Sequence, residues 1–518
     1  MKRYCPYIFI IGLVLTLSVL SLAQDKLNLS GQATLGYIFI DDNGKKSTTE
    51  EIFNTYSGFT LENLSFLGLF KKNSTLELSL SNLNRDNRSL FFALRKPGRF
   101  SLNSQCNQSR FLFDEPGEPK SFRTISSVWG DFQVTKFLKL KGDYYHHLKE
   151  DDVKTSSDDR EAEDEEHKQF FQSGGLGIQL KWGRRYLDLE YRLRSFENEI
   201  KSLFDRSGNQ IKAILNTPLP KNIFLSLSYL HDQNRWKESD LDLTTNLYQG
   251  SVFYQPVKKV NLSTKFLFQR TENQATSITS DIFRGGGEIN YEFYSGYEIS
   301  SGYEYERRKE KEKVQVSSYL AGLSFRFIPE LSLKARYLFQ KRKDPDNLTL
   351  TGPYDNERIL VELKSRPLKE INLKLRYEDK IRKNPDISTS TSDRGYISFA
   401  SFSLKDWLDI QLNYYLLKVK YENTVENFKT DNHTFTSSAI LKPGERLTLS
   451  GGWNHIDLRG DLNIRKDGIS LGFDYSFRKD FSFQGKYELY TYDDYIDYSN
   501  YYGVNVYRIS LTKRFGGI

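Results

Sequence analysis

The sequence predicts an all-β protein: a large transmembrane antiparallel β-barrel of about 26 strands, with short periplasmic turns and long outer loops. Three observations carry that expectation. An alternation of apolar and polar side chains recurs from Ser121 to Phe515, tight turns alternate with longer charged connections, and an export signal opens the chain. A strand places successive side chains on opposite faces, so a period of two gives one apolar and one polar face. Leu408, Ile410, Leu412, Tyr414 and Leu416 share a face, against Asp409, Gln411, Asn413 and Tyr415. The pattern returns at Val260–Phe268, Leu331–Phe339, Ile371–Tyr377 and Phe481–Leu489. No helical stripe of any length competes with it.

A mean hydropathy of −0.60 suggests a soluble protein and here misleads. A membrane barrel shows lipid only alternate residues of each strand, so its average hydropathy stays low. Aromatic residues make up 14% of the chain, with 33 Tyr and 36 Phe against one Met, which suits strands and interfacial aromatic girdles. Lys2 and Arg3 precede an apolar run, Tyr7–Leu20, and Ser21-Leu22-Ala23 offers a small-x-small cleavage site. Residues 1–23 therefore read as a secretory signal peptide and 24–518 as the barrel, with no plug domain. Cys5 precedes the apolar run, where a lipobox cysteine would follow it, and is expected to leave with the signal. Cys106 then stands alone, which permits no internal disulfide and no Cys-x-x-Cys site. No further apolar run reaches the ~18 residues of a spanning helix. Export, β pattern and the lack of such a helix together point to the outer membrane of a Gram-negative bacterium.

Taken in order, the first strand is expected over Leu27–Ile40, followed by a polar loop from Asp41 to about Glu51. Phe59–Phe70 and Ser74–Leu83 are joined by Lys71-Lys72-Asn73, and Ser89–Leu94 and Phe100–Cys106 by Lys96-Pro97-Gly98. Arg110–Lys120 is a turn-rich connection. From Ser121 about 21 further strands follow. Tight turns are expected at Thr217-Pro218-Leu219-Pro220, Pro256-Val257-Lys258, Ser295-Gly296, Pro329-Glu330, Arg366-Pro367-Leu368, Lys405-Asp406, Pro443-Gly444-Glu445 and Lys479-Asp480. Between them lie the charged segments Glu150–Lys168, Asp232–Asp242, Arg307–Lys313, Lys341–Asp355 and Arg382–Asp393. Short connections on one side and long ones on the other are the habit of bacterial outer-membrane barrels. Both termini then fall on the periplasmic side, with Tyr507, Ile509, Leu511 and Phe515 on the outward face of the last strand.

The polar face is expected to line the lumen. Its candidate residues are Lys139, Lys141, Asp143, Lys334, Arg336, Lys374, Arg376, Asp409, Gln411, Gln484 and Lys486, with Glu298, Glu304 and Glu488 adding negative charge. A net charge of +7 over 74 basic and 67 acidic residues gives no reason to expect nucleic acid as a partner. The acidic run Glu150–Glu166 lacks the ligand spacing of a calcium loop and reads as a solvated outer loop. His146 and His147 point to opposite faces, and neither a G-x-S-x-G elbow nor a Cys-x-x-Cys-His haem motif is present. No enzyme activity, no metal site and no covalently bound cofactor is expected of this chain. Outer-membrane lipid is the expected surrounding.

Two stretches carry a resemblance to a known family. Phe53-Asn54-Thr55-Tyr56-Ser57-Gly58-Phe59-Thr60-Leu61 and the Phe91–Asn107 region, with Arg95-Lys96-Pro97-Gly98, look like the early strands of porin–cytochrome conduit barrels of the MtrB/PioB type. In size, strand parity and absence of a plug the whole mature chain is similar to that family. Some members carry a Cys-x-x-Cys near the mature N-terminus, and this sequence does not. The resemblance implies a sheath that encloses a periplasmic multihaem c-type cytochrome, with haem on that partner, and passes electrons across the outer membrane. The residues alone leave a second expectation open, a diffusion porin for small solutes.

Overall fold

Alternating strands with one apolar face cannot bury that face within a single sheet. In a bilayer the sheet must also satisfy its edges, and closure into a barrel does so. The computed structural model describes residues 28–44, 57–70, 73–112, 120–153, 165–199, 204–239, 241–309, 313–343, 354–384, 388–423, 427–496 and 501–516. The expected signal peptide and the larger part of the acidic run lie outside these.

Every described element belongs to one closed antiparallel sheet of 26 strands. The first six are β1 (Asn28–Gly44), β2 (Gly58–Phe70), β3 (Ser74–Ser81), β4 (Arg88–Lys96), β5 (Phe100–Leu112) and β6 (Lys120–Gln133). Then come β7 (Leu138–Val153), β8 (Glu165–Trp182), β9 (Arg185–Asn198), β10 (Arg206–Leu219), β11 (Ile223–Trp236), β12 (Asp242–Val257) and β13 (Val260–Asn273). They are followed by β14 (Ile278–Tyr294), β15 (Tyr297–Lys309), β16 (Lys313–Ile328), β17 (Leu331–Lys343), β18 (Tyr354–Leu368), β19 (Ile371–Asn384) and β20 (Thr389–Leu404). The last six are β21 (Leu408–Glu422), β22 (Asn427–Gly444), β23 (Leu447–Gly460), β24 (Ile464–Arg478), β25 (Phe481–Asp494) and β26 (Tyr502–Phe515). Each pairs with its sequence neighbour, and β1 pairs with β26 from Gly31↔Phe515 to Gly44↔Tyr502, which closes the ring. Thr34 and Thr512 join their hydroxyls across this seam at 2.9 Å.

The tight turns lie at one end, next to β1's start and β26's end, as expected. Their chemistry differs from the expectation at several places. Pro256, Pro367 and Pro443 mark β-bulges rather than turns: the ladder skips from Tyr254 to Val257, from Ser365 to Leu368 and from Leu441 to Gly444. Proline has no N–H to give a ladder, and a bulge leaves one position without a partner. The reversals follow at Lys258-Lys259, Lys369-Glu370 and Glu445-Arg446. Likewise Pro218 and Leu219 are still paired, with Phe224 and Ile223, and the turn uses Lys221 and Asn222 at positive φ.

The charged connections are shorter than expected because the strands run into them. β11 continues to Trp236 and β12 starts at Asp242, so most of Asp232–Asp242 is sheet. β1 likewise runs past Ile40 to Gly44. Above the bilayer both faces meet water, so the apolar alternation stops while the hydrogen-bond ladder goes on.

An aromatic row fixes the height of the membrane on the wall. Six residues beyond the start of β7, β9, β11, β15, β17, β19, β21 and β25 stand Tyr144, Tyr191, Tyr229, Tyr303, Tyr337, Tyr377, Tyr414 and Tyr487, with Phe266 in β13 and Trp453 in β23. Partners on the even strands extend the row: Tyr229 packs on Tyr248 at 4.9 Å, Tyr303 on Tyr319 at 5.1 Å and Tyr377 on Tyr396 at 5.1 Å. Several polar tips of these rings reach toward polar groups farther from the tight turns. Tyr414 Oη meets His433 Nδ1 at 2.9 Å, Tyr377 donates to Asp379 at 3.0 Å and Trp453 Nε1 donates to Asp467 at 3.3 Å. An amphipathic ring with its body in hydrocarbon and its tip in a wet layer marks the membrane interface.

Candidate functional site

The polar face is where this chain gathers its charge, and in a membrane wall that face lines the lumen because the apolar one meets lipid. Directly paired residues share a face, so the ladders trace each face around the ring. Lys141 pairs with Gly177 and that with Glu190; Asp143 pairs with Gly175 and that with Arg192. Followed onward, the register puts all eleven candidates on one face: Lys139, Lys141 and Asp143 of β7, Lys334 and Arg336 of β17, Lys374 and Arg376 of β19, Asp409 and Gln411 of β21, and Gln484 and Lys486 of β25.

The structure does not bring the eleven together at one point; it distributes them around the wall, and most are neutralised locally. Lys141 donates to Asp188 at 2.8 Å and Lys139 stands 2.9 Å from Asp131. Arg192 forms a fork on Asp143 at 2.7 and 2.8 Å and also reaches Glu190 at 2.8 Å. Lys364 and Lys374 face each other across β18 and β19, a pairing of like charges that costs energy unless it is bridged. Glu362 bridges it, at 2.9 Å from Lys364 and 3.0 Å from Lys374. Glu378 does the same for Arg358 and Arg376, at 2.6 Å from each. Gln484 donates to Asp474 at 2.7 Å, and Lys486 to Glu488 at 2.7 Å. Lys334 and Arg336 form no ion pair among the described residues.

Sequence reasoning missed the bridging acids Asp188, Glu362, Glu378 and Glu306. The signal was available in part: opposite charges two residues apart, as in Glu362/Lys364 and Arg376/Glu378, sit on one strand face within reach of each other. Glu306, only 6% exposed, lies between Arg308, two residues on along β15, and Arg284, a contact across β14 and β15 that no local spacing reveals.

A hollow of about 320 Å³ on the lumen face is lined by Ser226, Ser228, Gln249, Ser251, Lys265 and Glu304, among others, and a second, of about 650 Å³, lies on the opposite face among Val252, Leu262, Ile289 and Tyr303. Among the described residues no group of three His, Cys, Asp or Glu side chains is placed to hold a metal. Of the histidines whose side chains are described, the register puts His147 on the lumen face and His146, His231, His433 and His455 on the lipid face. The wall therefore offers one described imidazole to anything inside it.

No protein-family model matches the sequence, and no curated protein does. Solved structures match by shape. The ferric enterobactin receptor PfeA of Pseudomonas aeruginosa aligns over 94% of this chain and 80% of its own, with a TM-score of 0.52 and 9% identity. The siderophore receptor PirA of Acinetobacter baumannii aligns over 95% and 81%, with a TM-score of 0.54 and 9% identity. The ferric-catecholate import receptor Fiu of E. coli K12 aligns over 95% and 82%, with a TM-score of 0.51 and 8% identity. These are receptors, a different group of barrels from the porin–cytochrome sheaths that the sequence resembles. At this identity the likeness is one of fold: the chain has the architecture of a large outer-membrane β-barrel.

Proposed function

We propose that this barrel is a sheath in the outer membrane that encloses a separate polypeptide, and that the occupant is a periplasmic multihaem cytochrome carrying electrons across the membrane. The observation that carries this reading is the width of the closed 26-strand wall. Twenty-six strands, about 4.8 Å apart and tilted about 40°, give a backbone diameter of roughly 50 Å. Side chains narrow it to about 40 Å. A folded domain of about 100 residues has a radius of gyration of about 13 Å and is about 33 Å across, so it fits. Barrels of ~22 strands usually hold a plug, and this wall is wider.

The wall's electrostatics support the same reading. At physiological salt a charge is screened within about 8 Å, a fraction of the bore's radius. Wall charges so far from the axis select poorly among ions crossing an open lumen, and they act on a body that fills it. The wall supplies almost no imidazole, so in this reading haem and its axial ligands belong to the partner. The wall insulates and positions; it carries no catalytic group and no cofactor of its own. The second reading, a diffusion channel for small solutes, draws on the same wide bore.

The test is purification of the tagged barrel from its native outer membrane, followed by an absorbance spectrum and planar-bilayer recording. A stoichiometric c-type haem signal is the expected result. A haem-free barrel that conducts as a steady open pore overturns the sheath and leaves the channel.

A further inference from the structure

Charge on the lumen face is unevenly placed around the ring. On β14 and β15 that face carries Glu288, Glu292 and Glu298 in the half nearest the tight turns, with Glu304 just beyond, 3.8 Å from Arg284. Glu292 and Glu298 are direct ladder partners, and Asn290, between Glu288 and Glu292 on that face, donates to Glu288 and Glu298 at 3.2 Å each once its amide is turned to face them with nitrogen. Two strands farther, on β17–β19, the sign reverses. Lys334, Arg336, Arg358, Lys364, Lys374 and Arg376 surround only Glu362 and Glu378, and each of those acids is already shared by two cations. Lys334 and Arg336 stand on the edge of this sector that faces the acidic one; Lys334 lies opposite Glu362 in the ladder, but neither forms an ion pair among the described residues.

We infer that the arc from β14 to β19 is the docking face for the enclosed polypeptide, and that the occupant is a folded periplasmic protein presenting an acidic patch to β17–β19. The inference rests on the sheath reading. Charges of one sign concentrated on three neighbouring strands raise the energy of the empty wall, and an occupant of opposite charge within a screening length lowers it. An acidic strip beside a basic one also distinguishes rotations of the occupant: turning it by a few strands sets like charges against each other. Such a two-signed arc sets orientation and register, which matter to a body whose ends must face opposite sides of the membrane.

The test uses Lys334→Glu/Arg336→Glu, chosen because neither residue holds an ion pair in the wall, with Lys334→Gln/Arg336→Gln as the milder variant. Retention of the closed fold is read from the slow-migrating unheated band on a gel. Haem per barrel is measured after washing native complexes at about 0.5 M salt. Binding of fluorescent polyglutamate to empty detergent-purified barrels is measured beside polylysine. The docking face predicts loss of most haem from the Glu variant, with polyglutamate binding weakened about tenfold or more, less so in the Gln variant, and polylysine binding undiminished. Wild-type barrels that carry haem and Glu variants that keep it equally overturn the docking face while the sheath stands. If wild-type barrels carry no haem, the sheath falls, and equal polyglutamate binding by wild type and Glu variant then overturns the basic sector as well.

Discussion

Two parts of this barrel solve the same problem differently. From β7 to β24 the wall is one layer thick: strands of 13 to 18 residues leave outward Leu176 73% exposed and Leu193 56% exposed, awaiting hydrocarbon. Around the closure, in β1–β6 and β25–β26, outward Leu35 and Ile509 are also open, 60% and 55% exposed, but a further set of side chains is packed against protein. β3 and β4 have only eight and nine residues, at or below the ~9–11 that a tilted strand needs to span. Their outward Leu76, Leu80 and Phe92 are buried, as is Cys106 on β5, whose thiol accepts from Ser126 at 3.3 Å. On the lumen side of the seam Ile38, Val504 and Val506 form a buried apolar cluster under Ile40 and Tyr490, and Tyr502 stacks on Tyr490 and Tyr492. Among the described residues the barrel's buried apolar cluster lies where its ends meet. A long wall exchanges protein contacts for lipid and water with little loss, whereas the seam joins strands more than 450 residues apart in sequence and must hold them together.

The difference can be broken most severely at the seam. Val506→Asp puts a carboxylate into a site that is 1% exposed, against Ile38, Val504 and Ile40, a cost of several kcal/mol. It is expected to abolish the heat-modifiable barrel, whereas Ser450→Asp on the lumen face of β23 leaves assembly intact. Equal assembly of the two variants would show that the seam has no special role.

A milder contrast compares outward residues. Phe92→Ala is expected to cost about 3 kcal/mol, as in a protein core, while Leu193→Ala, whose neighbour is lipid either way, costs about 1 kcal/mol or less. Urea midpoints of barrels refolded into bilayers read the gap, and closely matched midpoints remove the distinction. The smallest effect belongs to the interface row. Tyr414→Phe loses one hydrogen bond to His433 but keeps the ring, and should shift stability by about 1 kcal/mol or less; Tyr414→Ala should shift it further.

Most of the wall was legible in the residues. Leu408–Leu416 alternate because one side meets lipid and the other water, and β21 carries that alternation to Leu416 before running on to Glu422. The pattern lost its meaning where both faces see the same medium. At Asp232–Arg235 and Lys341–Lys343 the charged and polar side chains on both faces resembled loop, although the backbone there is paired. Proline signalled an interruption of the ladder without distinguishing a bulge from a turn, because both relieve the missing N–H.

By itself the sequence determined the class of fold, the two-sided wall, the side on which the tight turns lie and the face that each candidate lumen residue occupies. These follow from local rules, a side-chain period of two and the backbone needs of a reversal. The tertiary structure alone decided the closure of β1 on β26, the buried core at that seam, the sharing of Glu362 and Glu378 between pairs of cations, and the acidic and basic sectors side by side. Each of those depends on which strands become neighbours and in what register, and a one-residue slip would turn every side chain to the other face.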